Sequence, residues 1–339
     1  MSKKKLCLVF LMILSLLVML SGCAGQDKPA VSNNQDKVSE FRIIQDDLKR
    51  EVEVPNQPKR VLSLNSSMTE IVFQLGVVPV GKVNEYIISR PETENLPEIS
   101  LENSPNIEMI NKLEPDLIIA HAKNHAQILD SLESTGAAVV FVDPSKAENQ
   151  LIGRADLIGE ALNRQEEAAK YTEKITAKSQ QLSKKIAQSP IKTALFIQRG
   201  SQNIMAAQSF CFWGRLLTDL GIENIVPLKV SNTSKAGFVT FDMETIIQKD
   251  PDVVLVLQPG FRSANEKGKK QGQGQGQKQE PAKTMGSAEL LAMYKNDPMW
   301  QPLSAVKNDR ILVVPINIAP GKISVLEALE VIAEIVAPE

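Results

Sequence analysis

His121 and His125 are the side chains of this chain best suited to bind a metal ion. They are the only two histidines, and because they lie four residues apart they could share one face of a helix and chelate a metal ion or iron. His121 is followed by Ala122 rather than by the glutamate that a zinc protease helix needs, so the sequence does not support hydrolysis. Two solvated histidines at the start of a helix are the alternative interpretation.

Further candidates follow apolar segments that have the composition of strands. In open α/β sheets, ligands bind beyond the carboxyl ends of the strands, where the N-termini of helices also point. The side chains predicted at such ends are Asn65, Ser66, Ser67, Met68, Tyr86, His121, His125, Arg199, Gln202, Gln258 and Arg262. Tyr86 could be a phenolate ligand of iron or a stacking platform, and Arg199 and Arg262 could pair with carboxylates or catecholates. Each position taken alone is also compatible with a neutral loop residue.

The N-terminal segment carries a targeting signal. Three lysines at 3–5 precede an apolar run at 6–20 that is too short for a stable membrane span, and Ser21-Gly22-Cys23 follows. This arrangement resembles the bacterial lipoprotein signal, which implies cleavage before Cys23 and a lipid on its thiol. A plain secretory signal or a signal anchor is the alternative. The predicted boundaries are a signal peptide at 1–22 and a flexible polar tether at 23–40.

Composition excludes some classes of function. The chain has 339 residues and a formal net charge of −2, which gives no electrostatic reason to bind nucleic acid. Of the three cysteines, Cys7 lies in the signal and Cys23 is the predicted lipid site, so no intramolecular disulfide is expected unless Cys23 is unmodified. Cys211 is expected to be buried and inert.

The elements that position these residues read as two βα series around one long helix. In the first, 41–148, strands are predicted at 60–64, 77–83, 117–120 and 138–142, and helices begin near Ser67, Ser104 and Asn124. A connecting segment at 149–188 holds one helix of roughly 25 residues. The second series, 189–339, has strands at 193–197, 253–257 and 311–314, helices at 210–220, 243–248 and 323–336, and a disordered Gln/Gly/Lys insertion at 265–284. The fold class is therefore α/β, with two βα lobes joined by one long backbone helix.

Several segments of the body match one known family in order and spacing. They are 58–70 (PKRVLSLNSSMTE), 105–110 with 113–118 (PNIEMI, LEPDLI), 221–225 (GIENI), 250–254 (DPDVV) and 300–311 (WQPLSAVKNDRI). Together they resemble the substrate-binding lipoproteins of ABC importers, in the subgroup that binds iron–siderophores, haem and cobalamin. The resemblance covers essentially all residues from Arg42 to Pro338.

The resemblance implies a ligand cleft between the two lobes and a small closing motion limited by the long helix. It also implies that Glu108 and Glu244, one on each lobe, pair with arginines of a membrane permease, which works with its ATPase. A carboxylate in the first turn of a helix is favoured by the helix dipole, and simple helix-start preference is the alternative explanation.

The resemblance further implies a transported ligand and no catalysis or intrinsic cofactor. Met68 matches a methionine that haem-binding members can use as an axial ligand, but Pro259 stands where such members place a histidine. Packing in the core is the alternative role for Met68. Siderophore, haem and corrinoid all remain open, with a free transition-metal receptor using His121 and His125 as a second hypothesis and a lipoprotein enzyme or sensor as a third.

Overall fold

The structure is a computed structural model that describes residues 40–147, 149, 151–198, 204–226, 237–257 and 286–338. The predicted signal peptide, almost all of the tether and the predicted insertion at 265–284 lie outside these ranges. Among the described residues, no helix has the length and apolarity needed to cross a bilayer.

The first lobe begins with a hairpin that was not predicted from the sequence. Strand β1 (Phe41–Gln45) pairs antiparallel with β2 (Glu51–Pro55), and Ile44, Val52 and Val54 form its buried face. The Asp46 side chain accepts from the backbone N–H groups of Leu48 and Arg50, which fixes the turn.

The first lobe is built on a parallel three-stranded sheet in the order β3-β6-β7. Its three strands are almost entirely buried and mostly apolar, as expected for a parallel sheet that is covered on both faces. The strands of this lobe are β3 (Val61–Ser63), β4 (Ser100–Leu101), β5 (Ser104–Pro105), β6 (Leu117–His121) and β7 (Ala138–Val142), and its helices are α1 (Ser66–Gln74), α2 (Ile107–Leu113), α3 (Ala122–His125) and α4 (Leu129–Glu133).

Three predictions for this lobe were wrong in detail. Residues 77–83 form no strand: Val80 N–H donates to Val61, and Lys82 forms only an isolated bridge with Glu98, so no continuous ladder is present. The second helix is capped by the Asn106 side chain and not by Ser104, which lies in β5. The single helix expected near 124–133 is divided into α3, a 3₁₀ turn and α4.

Two helices occupy the connecting segment. Helix α5 (Ala155–Leu162) ends at Asn163, whose φ of 56° is left-handed, and α6 (Gln165–Ala187) follows with 23 residues, about 35 Å at 1.5 Å per residue. The predicted long helix is therefore present, with a separate short helix before it. Its buried residues, Ala168, Tyr171, Ile175, Ser179 and Ile186, form one stripe along the helix.

The second lobe is built on a six-stranded sheet. Its main order is β11-β9-β8-β12-β13, with β10 also paired to β8; β8, β10, β12 and β13 are parallel, and β9 is antiparallel to β8 and β11. The strands are β8 (Thr193–Gln198), β9 (Met205–Ala207), β10 (Glu223–Asn224), β11 (Phe238–Thr240), β12 (Val253–Leu257) and β13 (Ile311–Val314), and the helices are α7 (Phe212–Asp219), α8 (Met243–Lys249), α9 (Ser287–Asn296), α10 (Ser304–Lys307) and α11 (Val325–Val336).

The C-terminal segment returns from the second sheet towards the first lobe. Helix α11 packs along α6, where Lys178 Nζ lies 2.6 Å from the Glu330 carboxylate. Before α11, Ile87 N–H donates to the Gly321 carbonyl at 2.9 Å. The two lobes are therefore connected by this returning segment as well as by α6.

Candidate functional site

The carboxyl ends of the three strands of the first sheet form the candidate site. Strands β3, β6 and β7 run parallel, so the residues that follow them, Asn65, Ala122 and Asp143, lie at one edge of the sheet. Asn65 and His121 were both predicted at this edge.

Asn65 is the N-cap of α1. Its Oδ1 atom accepts from Ser67 N–H at 3.1 Å, from Met68 N–H at 3.2 Å and from the Ser67 hydroxyl at 2.6 Å. The Oδ1 atom is therefore fully used in capping the helix, a position where asparagine is favoured. Ser66 is buried and Ser67 is half-buried beside it.

Glu102, which the sequence analysis missed, joins three parts of this edge. Its carboxylate accepts from Ser66 N–H at 2.6 Å and from Asn65 Nδ2 at 3.0 Å. Its own N–H donates to the Glu85 carboxylate at 3.1 Å. No local pattern marks Glu102, because it lies in the short connection between β4 and β5 and its partners are distant in sequence.

The two histidines do not form the predicted chelate. His125 is fully buried; its Nδ1 accepts from His121 N–H at 2.9 Å and its Nε2 lies 2.6 Å from the Glu102 carbonyl. Because Nδ1 accepts, Nε2 carries the proton and donates, so neither ring nitrogen is left for a metal ion. His121 Nδ1 accepts from Lys123 N–H at 3.2 Å and caps α3.

Burial lowers the pKa of both imidazoles, and for His121 the neighbouring His125 lowers the pKa further. Among the residues that the structure describes, no group of three or more His, Cys, Asp or Glu side chains could hold a metal ion. The contacts of His125 therefore do not support a receptor for a free metal ion through this histidine pair.

Met68 and Tyr86 are core residues rather than exposed ligands. Met68 is 1% exposed and packs in the main hydrophobic cluster, so its thioether does not face a ligand. The Tyr86 hydroxyl donates to Glu70 Oε2 at 2.7 Å, and burial, followed by the charge of Glu70, raises the pKa of Tyr86. A phenolate at this position is therefore disfavoured.

Arg90 completes a buried network around Glu70. Its Nη2 atom lies 2.6 Å from Glu70 Oε2, and its guanidinium carbon lies 4.8 Å from the centre of the Phe73 ring. The Tyr86 ring stacks on the same Phe73 ring, with the two ring centres 5.6 Å apart. These groups fix the loop at 84–90, which carries Glu85 to the edge of the sheet.

The predicted ligand residues of the second lobe lie outside the described residues: Arg199, Gln202, Gln258 and Arg262. The same holds for Pro259 and for the predicted lipid site, Cys23. Cys211 is a buried free cysteine, and burial raises the pKa of its thiol, in agreement with the expected inert role.

Asn65 and Glu102 do not line either of two cavities found among the described residues. One of about 650 Å³ is lined only by residues of α5 and α6, and none of them follows a strand. The other, about 400 Å³, lies between Ile88-Ser89 of the first lobe and the returning segment from Asn317 to Val331.

Glu108 and Glu244 occupy matching places in a unit that occurs in both lobes. Each is the second residue of a seven-residue helix, after the caps Asn106 and Asp242, and both carboxylates are exposed. Glu108 lies 2.7 Å from Lys112 Nζ.

Each of these helices ends at a left-handed residue, Glu114 or Asp250, and is followed by Pro-Asp and a buried strand. The aspartates play the same part in both lobes: Asp116 accepts from Lys59 N–H at 2.7 Å, and Asp252 accepts from Lys192 N–H at 2.8 Å. The structure thus places the two glutamates equivalently.

Comparison with known proteins gives a consistent assignment. A family model described as "Periplasmic binding protein" matches residues 61–317. The chain is 23% identical to a Fe(3+)-citrate-binding protein of Bacillus subtilis over 91% of this chain and 89% of that protein. It is 26% identical to a vitamin B12-binding protein of Salmonella paratyphi A over 58% of this chain and 71% of that protein.

The fold agrees with a solved structure. Staphylococcus aureus SirA, complexed with staphyloferrin B, has a TM-score of 0.65 and 21% sequence identity, covering 86% of this chain and 97% of SirA.

Proposed function

We propose that this chain, which belongs to the periplasmic binding protein family, is the substrate-binding protein of an ABC importer and carries an iron–siderophore or a corrinoid. The family is one of binding proteins, so the chain is not an enzyme. Relatives that bind ferric citrate and vitamin B12 support this range of ligands.

The observation that carries the proposal is the repeated unit that holds Glu108 and Glu244. A receptor that delivers its ligand to a two-sided permease needs one contact on each lobe, and exposed first-turn carboxylates are suited to bidentate arginine partners. We propose that the two glutamates dock on the permease.

The ligand is proposed to lie between the edge of the first sheet and the facing loops of the second lobe. From the first lobe, Ser67 and His121 are the predicted ligand residues that are neither buried nor engaged at every polar atom. From the second lobe we retain Arg199, Gln258 and Arg262 as proposed contacts. Haem is the least supported ligand, because Met68 is buried.

A lipid at Cys23 is proposed to hold the protein on the outer face of the cytoplasmic membrane. Relatives described as ABC transporter substrate-binding lipoproteins support this location. The tether at 23–40 would keep the binding body close to its permease.

Ligand binding by purified protein tests the proposal. The absorption spectrum of the protein as purified is recorded first, because a co-purified ferric siderophore or corrinoid gives visible bands. Residues 24–339 are then titrated with ferric citrate, ferric desferrioxamine B and cyanocobalamin while tryptophan fluorescence is recorded, with the iron-free chelators as controls. We expect saturable quenching by at least one complex and none by the free chelators. Absence of binding by all three would contradict the proposed function.

A further inference from the structure

We propose that Glu102 is a specificity-determining residue of the ligand site. Its carboxylate occupies the N-terminus of α1 and so prevents anionic groups of the ligand from binding there. The first lobe would then face the neutral or cationic side of the ligand. This inference rests on the proposed function and narrows the class of ligand.

The backbone donors of α1 are all engaged within the protein. A free helix N-terminus at this edge would attract an anion, since its first N–H groups lack partners within the helix. Here Ser66 N–H donates to the Glu102 carboxylate, whereas Ser67 N–H and Met68 N–H donate to the Asn65 side chain. Thr69 N–H donates to the Asn65 carbonyl at 2.8 Å. An anionic ligand group would have to displace a carboxylate of this chain.

Glu102 is held from its backbone as well as from its side chain. The carbonyl accepts from fully buried His125, and the N–H donates to Glu85. A histidine that uses both ring nitrogens on backbone groups is a rigid support, because any shift of the 100–104 connection would leave a buried polar atom unpaired. The position of the Glu102 carboxylate is therefore set by the fold.

Charges around the edge reinforce the exclusion of anions. Glu85 and Glu102 are both half-buried, so two carboxylates meet at the start of α1. Two cations of this lobe are engaged elsewhere: Arg90 lies 2.6 Å from Glu70, and Lys123 lies 3.6 Å from Asp143. Neither of these two neutralises the pair of carboxylates at the start of α1.

The experiment measures the affinity of the wild type and of Glu102→Gln for ligands of different charge. Ferric desferrioxamine B is cationic, ferric citrate is anionic and cyanocobalamin is neutral. Glutamine can still accept from Ser66 N–H, but it removes the negative charge. We expect ferric citrate to bind about fivefold more tightly to the variant and ferric desferrioxamine B about fivefold more weakly, with both changes reduced at high salt.

Two further variants separate charge from folding. Glu85→Gln removes the second carboxylate. It should strengthen the binding of ferric citrate and weaken that of ferric desferrioxamine B, each by a smaller factor than Glu102→Gln. Glu94→Gln, an exposed glutamate of the same lobe, should leave them within about twofold.

Opposite shifts for the cationic and anionic complexes support the inference, because a purely structural defect would weaken both. If both affinities change in the same direction, or if neither changes, the inference is wrong but the proposed function still stands. Failure of the wild type to bind any probe contradicts the proposed function and this inference with it.

Discussion

Glu70 shows how residue type alone misleads about role. The sequence places it in a helix-start motif and places Tyr86 as a ligand candidate. The structure joins them instead: Glu70 is 3% exposed, and its carboxylate accepts from the Tyr86 hydroxyl, from Arg90 and from Gln74 Nε2. A buried carboxylate is tolerated only with such partners.

The first prediction concerns the hydroxyl of Tyr86. Tyr86→Phe should lower the free energy of unfolding by about 1–3 kcal/mol, because it leaves a buried carboxylate short of one hydrogen bond. Urea unfolding measures the loss. Tyr171→Phe is the comparison variant: Tyr171 is also buried and the charge of Glu70 also raises its pKa after burial does, but the Glu70 carboxylate accepts its tyrosine hydrogen bond from Tyr86. Equal losses in the two variants would contradict the role assigned to Glu70.

The second prediction concerns His125 and pH. Burial lowers the pKa of His125 in the folded protein, so below about pH 6.5 the unfolded chain binds a proton that the folded chain does not. Stability is therefore full above about pH 6.5 and falls as the pH drops towards the lowered pKa. Urea unfolding from about pH 7 to about pH 5 should show a smaller loss for His125→Gln than for the wild type.

His121 has a lowered pKa too, so His121→Gln should also reduce the loss, and the double variant should reduce it most. A wild-type stability that does not change over this range would contradict the neutral state inferred for His125.

At the scale of elements, apolar runs without an interrupting proline, glycine or charge predict strands well. The strands at 138–142 and 253–257 have the predicted bounds, because a fully buried parallel strand leaves a distinct apolar run between polar ends. The run at 77–83 (VVPVGKV) is interrupted by Pro79, Gly81 and Lys82 and forms no strand. A Cβ atom at Gly81 would lie 2.7 Å from a Leu113 methyl group, so the Leu113 side chain packs directly against this glycine.

The candidate site was predicted less well than the strands, for a physical reason. Asn65 could be found because caps and strand ends are local patterns. Glu102 and Glu85 could not, since their roles come from contacts between segments far apart in sequence. The burial of His125 likewise depends on its hydrogen bond to the Glu102 carbonyl, and the spacing of residues in the sequence does not predict this contact.

The third prediction concerns Gly321 in the returning segment. Its φ is +76°, and an added Cβ atom would lie 2.3 Å from Ser66 Cβ. Gly321→Ala should therefore destabilise the protein by more than the roughly 1 kcal/mol of backbone strain alone, because α1 or the returning segment must move. Unfolding by urea measures the effect.

Two other glycines separate the contribution of backbone strain from that of the steric clash. Gly76 has a φ of +78° with no atom within 4 Å of an added Cβ, so Gly76→Ala reports strain without a clash. Gly286 has a negative φ and open space, so Gly286→Ala should cost only the preference for glycine over alanine at the N-cap of α9. If Gly321→Ala costs no more than Gly76→Ala, the close contact with Ser66 is not maintained in solution.

For the whole molecule, the equivalent placement of Glu108 and Glu244 predicts that delivery to the permease can be lost while ligand binding is kept. The double variant Glu108→Ala with Glu244→Ala should bind ligand with unchanged affinity and fail to support uptake in cells, and each single variant should be intermediate. Ligand titration and uptake of the iron-55 complex measure the two properties. Paired Glu92→Ala and Glu289→Ala, exposed glutamates at other helix starts of the two lobes, are the control. Normal uptake by the double variant would contradict docking through these residues.

The return of the C-terminal segment to the first lobe has a consequence for the order of folding. Ser66 and Ile87 are synthesised long before Gly321 and α11, so the wall of the first lobe has no partner along this face until the returning segment is made. Contacts between such distant parts of a chain form slowly, because a long loop must close first. The nascent protein should therefore remain open and accessible to chaperones until α11 emerges, and its two lobes should complete folding together.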